Sequence, residues 1–199
     1  MNKLILTVFM LVFVCVQSQW GVAREYSKPS HKAPKTLVVQ MLGEGEWIGD
    51  LPTVWHDVFG SEAGLPDDNA DFNCFSVPLL DPSKGKEIGT GIDCLRPAAD
   101  APDTGLEAVS FFIMRQGILV NRGLTSLGGF TEMVGDAGGT VNTMTGSVPT
   151  DDSNTLFFGS KQYRHVSGNA RVSGAVFIDA GVPTWFNCLW VIKLGSDAR

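Results

Sequence analysis

From Thr36 onward the apolar positions fall in short β-type runs, not at helical spacing. They cover Thr36 to Leu42, Ala70 to Leu80, Glu87 to Leu95, Leu106 to Met114, Ile118 to Asn121, Leu156 to Gly159, Ala170 to Asp179 and Trp185 to Leu194. Turn residues separate them, and glycine clusters such as Leu127-Gly128-Gly129 and Asp136-Ala137-Gly138-Gly139 break any helical reading. Asp50 to Gly60 has room for one helical turn, and no long amphipathic helix is expected. Seven or eight short strands with frequent turns predict an all-β fold, an antiparallel sandwich or barrel.

The last run departs from ordinary alternation. Phe186, Cys188, Trp190, Ile192 and Leu194 make one wholly apolar face, and Trp185, Asn187, Leu189, Val191 and Lys193 make a second, mostly apolar one. An antiparallel strand usually keeps one wet face. Two dry faces fit a strand that lines an interior and is covered outside by a partner or by the N-terminal segment. A central sandwich strand fits them too.

The N-terminus follows another pattern. Lys3 precedes an apolar run from Leu4 to Val16, and Val16-Gln17-Ser18 offers a small-residue cleavage site. Residues 1–18 therefore read as a signal peptide, too short to span a bilayer comfortably. Residues 19–35, rich in polar residues and proline, read as a mobile leader, and 36–199 as a single domain. The expected location is secreted and extracellular. Composition narrows partners further: the formal net charge is −6 with both signs scattered along the chain, so neither nucleic acid nor a membrane is an expected partner. The pairs Asp67-Asp68 and Asp151-Asp152 lack the further oxygen ligands of a calcium loop.

Cys15 leaves with the signal peptide, and Cys74, Cys94 and Cys188 remain. Asp81 to Lys86 is turn chemistry between two β runs. Pairing Asp81 with Glu87 sets Leu80 against Ile88, Pro78 against Thr90, Ser76 against Ile92 and Cys74 against Cys94. That register predicts a Cys74–Cys94 disulfide, with two buried free thiols as the alternative.

Several segments resemble the barrel shared by allene oxide cyclases and dirigent proteins. Phe158-Gly159-Ser160-Lys161-Gln162-Tyr163-Arg164-His165-Val166-Ser167-Gly168 is similar to the dirigent segment Gly-Thr-Gly-x-Phe-Arg-x-Ala-Arg-Gly. Lys161 stands where its middle glycine belongs and Ser167 where its second arginine belongs. The stretch Leu79 to Lys86 followed by Ile88-Gly89-Thr90-Gly91-Ile92-Asp93-Cys94 resembles the cyclase hairpin, with the cysteine spacing off by one. Phe111 to Gly123 resembles the family's aromatic strand, turn and next strand. The resemblance covers about residues 70 to 194. It implies an eight-stranded antiparallel barrel, a homotrimer and an apolar central cavity wide enough for one small ligand.

The candidate cavity residues are Asp93, Arg115, Tyr163 and Arg164. Asp93 shares a strand face with Gly89 and Gly91, opposite Phe75 and Val77, where an ionised carboxylate is costly unless paired. Arg115 is placed either to pair with it or at the barrel rim. Tyr163 and Arg164 come from the family-like segment. His31, His56 and His165 stand apart without metal-ligand spacing, and Ser126 and Ser160 lack a nucleophile elbow, so no metal or cofactor is implied. Three functions follow: binding a small apolar ligand in the central cavity, a cofactor-free cyclase or dirigent-type enzyme, or a structural extracellular-matrix component. Fold alone does not choose among them.

Overall fold

The computed structural model describes residues 36–132, 140–145, 155–177 and 183–195. The expected signal peptide and leader, the Asp151-Asp152 pair and the glycine cluster at 136–139 lie outside the described residues. The strands are β1 (Thr36–Glu44), β2 (Glu46–Gly49), β3 (Asn73–Asp81), β4 (Lys86–Ala98), β5 (Ala101–Met114), β6 (Gly117–Glu132), β7 (Thr140–Thr145), β8 (Thr155–Gly159), β9 (Gly168–Phe177) and β10 (Trp185–Leu194). One helix, α1 (Leu51–Phe59), follows β2, and a 3-10 turn spans Lys161–Tyr163.

All pairings are antiparallel, and the sheet runs β1-β10-β9-β7-β6-β5-β4-β3. It closes in a ring of eight strands where β1 meets β3, through Gln40↔Leu80 and Met41↔Leu79. β2 continues β1 past Gly45 along the edge of β3, and β8 pairs with β6 beside β7.

Alternation sorts the side chains into two cores. Inside the ring lie Val39, Met41, Val77, Leu79, Phe112, Leu119, Val172, Phe186, Trp190 and Ile192, among others. Outside, Cys74, Ile92, Cys94, Val109, Phe111 and Val120 form a second core under α1. The helix is nine residues long, more than the single turn expected, because its ends and its face agree. Asp50 caps it by accepting from the Thr53 N–H at 2.9 Å, and Gly60, at φ 69°, donates back to the His56 carbonyl. Leu51, Val54 and Trp55, at i, i+3 and i+4, are its buried stripe. Trp55 then meets Phe59, Phe111, Phe157 and Phe158.

The β3–β4 hairpin corrects one expectation. From Pro78↔Thr90 to Cys74↔Cys94 the register is as read from sequence, but near the turn Leu80 pairs with Glu87 and Asp81 with Lys86. Ile88 is the extra residue of a bulge, so Leu80 does not face it. The turn itself is tied by the Asp81 carboxylate, which accepts from the Ser83 N–H and hydroxyl. At the far end Cys74 and Cys94 are joined in a disulfide beneath α1, and Cys188 is a free, buried thiol.

Candidate functional site

Two places in the ring gather polar chemistry. The first lies in its interior. Asp93 on β4 pairs across to Ser110 on β5, and Ser110 to Asn121 on β6, so three polar side chains cross the inner wall at one level. All three are buried, Asp93 to 2 % exposure. The Ser110 hydroxyl donates to Asp93 Oδ1 at 2.7 Å. No basic side chain pairs with the carboxyl among the described residues. Burial pushes its pKa up to about 6, against a smaller lowering by Ser110. Cys188 on β10 feels that carboxylate. Burial first, and then the Asp93 charge, push the thiol up to about 12, so it is neutral at ordinary pH. The Trp190 indole N–H, also inside, has no hydrogen-bond partner. Around this level the interior is filled with side chains: a Cβ added at Gly91 would come within 2.7 Å of Met41.

The second place is one mouth of the ring. A pocket of about 580 Å3 opens there between the start of β1, the β3–β4 turn, the β5–β6 turn and the 3-10 turn. Leu37, Val39, Ile88, Met114 and Tyr163 supply its apolar lining, and Asp81, Lys84, Lys86, Glu87 and Arg115 its charges. Lys84 is paired with Asp81 at 3.2 Å, whereas Lys86 and Arg115 join no ion pair among the described residues. Gly117 lets the 3-10 turn close over this end. Its φ is 151°, and a Cβ there would stand 2.4 Å from the Ser160 carbonyl oxygen. Lys161, the first residue of that turn, and His165, just past it, also hold positive φ.

The four sequence candidates therefore separate. Asp93 faces inward, which settles a choice of face that alternation alone had left open. Arg115 is exposed in the β5–β6 turn, beyond Met114, which pairs with Gly89, four residues along β4 from Asp93; it does not pair with that carboxyl. Tyr163 is buried in the inner core with one edge on the mouth pocket. Arg164 is exposed and does not line that pocket, because it caps the 3-10 turn pointing outward. Sequence reasoning missed Ser110 and the mouth. Ser110 sits in the run Leu106 to Met114 at a position whose face is fixed only once its pairing with Asp93 is known.

A second polar group, on the outer wall, is structural. Arg96, 12 % exposed, donates to Glu107 at 2.9 Å, to Asp68 at 2.8 Å and to the Ala70 carbonyl at 3.0 Å, and lies 4.4 Å over the Phe72 ring. Arg122 donates to the other Glu107 oxygen at 2.8 Å. This network pins the loop before β3 against β4, β5 and β6. Its arginine holds the exposed Asp68 carboxyl below its ordinary range.

No protein-family model, curated protein or solved structure matches the chain. Among the described residues no helix is long and apolar enough to cross a membrane.

Proposed function

We propose that the ring is an eight-stranded barrel of the allene oxide cyclase and dirigent type, secreted, and that it binds a small apolar ligand at its mouth. The observation that carries this is the pocket of about 580 Å3 with Leu37, Val39, Ile88, Met114 and Tyr163 against its interior. That volume lies in the range of small-molecule sites, roughly 300–1,000 Å3. We place the ligand seat at the mouth, since deeper in the ring Met41 packs closely on Gly91. The disulfide supports an oxidising compartment. The outer face of β10, where Trp185 and Leu189 are exposed beside Val38 of β1, supports coverage by further copies, as in a trimer.

Titration with the uncharged fluorophore N-phenyl-1-naphthylamine tests the seat. Saturable binding to the wild type, weakened at least tenfold by Ile88→Trp with an unchanged melting temperature, is the expected result. Absence of saturable binding, or equal binding by both proteins, overturns it.

A cofactor-free enzyme is the second reading, favoured by Asp93. A carboxyl with its pKa near 6 can both give and take a proton near neutral pH. In that case Asp93→Asn stops conversion of a bound compound without weakening its binding, which mass spectrometry of the recovered ligand would read.

A further inference from the structure

Basic residues that look scattered in sequence are collected by the fold. Lys84, Lys86, Arg115, Lys161, Arg164 and Lys193 are all exposed and all stand at the mouth end of the ring. The register places them there: Lys86 pairs with Asp81 at the β3–β4 turn, and Arg115 follows Met114, which pairs with Gly117 at the start of β6. Gly159, just before Lys161, pairs with Leu119, and Lys193 pairs with Thr36, the first residue of β1. Among the described residues two acids share this end: Asp81, which Lys84 neutralises, and Glu87. The opposite end carries exposed Glu44 and Glu46 at the β1–β2 corner, Asp71 before β3 and Asp100 between β4 and β5. β4 alone, with 13 residues, separates the two ends by roughly 40 Å at ~3.3 Å per residue. That is several times the ~8 Å screening length at physiological ionic strength. The mouth end therefore acts as a cationic surface although the whole chain is net −6.

We infer that this end docks on an acidic polysaccharide, the ring standing end-on with its acidic rim directed away. Six cations spread over the hairpin, the β5–β6 turn, the 3-10 turn and β10 are more than one small anion can engage, whereas a polyanion meets several together. An anionic bilayer fits less well. Among the described residues Val38 is the exposed large apolar side chain that lines the pocket at this end, while Trp47 and Trp185 lie toward the other, so no aromatic wedge among those residues accompanies the charges. Secretion, as proposed above, would bring extracellular carboxylated chains within reach.

The test uses the mature secreted protein and immobilised polygalacturonate, with neutral dextran as control. Binding should be restricted to the polyanion and should weaken steeply with added salt, as counterion release requires. Lys161→Glu/Arg164→Glu should reduce affinity at least tenfold, and Lys86→Glu/Arg115→Glu, a second pair on other elements, should do the same. Glu44→Lys/Glu46→Lys, an equal change of charge at the opposite rim, should change it less than twofold. Circular dichroism and melting temperature establish folding, and either pair suffices if the other misfolds. Failure of the wild type to bind, a change in affinity with Glu44→Lys/Glu46→Lys as large as that of the two mouth pairs, or tighter binding to phosphatidylserine vesicles or duplex DNA at the same salt overturns the inference. The naphthylamine titration is read separately on Lys161→Glu/Arg164→Glu, which leaves the pocket lining intact. The two proposals can therefore fail independently.

Discussion

Asp93 and Glu107 are carboxylates on neighbouring strands of one sheet, and the two sides of that sheet treat them oppositely. Glu107 faces out, 16 % exposed, and both of its oxygens are taken by arginine, Arg96 on one and Arg122 on the other. Asp93 faces in, where the Ser110 hydroxyl donates to it and no basic side chain pairs with it among the described residues. A buried ion pair offsets its desolvation only when hydrogen bonds satisfy both partners, and the outer wall meets that condition. The inner wall does not, so Asp93 relieves the cost by holding its proton to about pH 6. Burial alone does not define a functional carboxylate. Of these two carboxylates on adjacent strands, only the partly exposed one has been given a counter-charge among the described residues.

Four substitutions sharpen or break that contrast. The largest effect belongs to the outer core on which the ion network rests. Trp55→Ala should cost about 3–5 kcal/mol by denaturant unfolding, since it removes the ring that joins α1 to Phe111 and Phe158. A loss below about 1 kcal/mol would mean that α1 is dispensable to the sheet.

Asp93 comes next and runs the other way. Its folded pKa, about 6, lies above the ordinary 3.8, so the folded state binds the proton more tightly than the unfolded chain. The stability this contributes is fully present below about pH 4 and is lost as pH rises through 6, by about 3 kcal/mol in all. Asp93→Asn should remove that decline, leaving the variant more stable than wild type at pH 8 and nearly equal at pH 4. Parallel pH–stability curves would show that Asp93 has a counter-charge after all.

Glu107→Gln strips the charge between two arginines while keeping the shape, and should cost about 2 kcal/mol at neutral pH. Unlike the Asp93 variant it should be destabilising throughout the neutral range. A neutral outcome would erase the distinction between the two walls. The smallest effect, about 1 kcal/mol, is expected for Asp50→Ala, which removes the cap of α1. Helix-selective amide exchange would detect it.

Much of this was legible from alternation. Eight runs foretold strands, and the terminal run matches β10 from Trp185 to Leu194 because both its ends meet turn residues. The hairpin register read from turn chemistry holds from Pro78↔Thr90 to Cys74↔Cys94 and is off by one residue on the turn side of the bulge at Ile88, which no local signal marks. β2 is four residues long, and β7 alternates threonine with Val141, Asn142 and Met144, too polar a run to stand out. The extension of β6 is hidden by Gly128 and Gly129, which sit at a register shift against β7. Within the site, Asp93 could be grouped with Gly89 and Gly91 on one strand face, though not assigned to the inside until the ring closes. The mouth could not, since it is made by four segments that meet only once the ring closes.

Closure also has a timing. β1 finds its partner in β10, with Val39 set against Trp190. A ribosome adding about 5–20 residues per second needs roughly 10–30 seconds to make the chain between them. Throughout that interval the first strand has no long neighbour, and the hairpins made in the middle have no ring to join. The molecule is thus one whose first strand must be kept from wrong company until the last is made, and chaperone dependence during synthesis is the expected mark of that order.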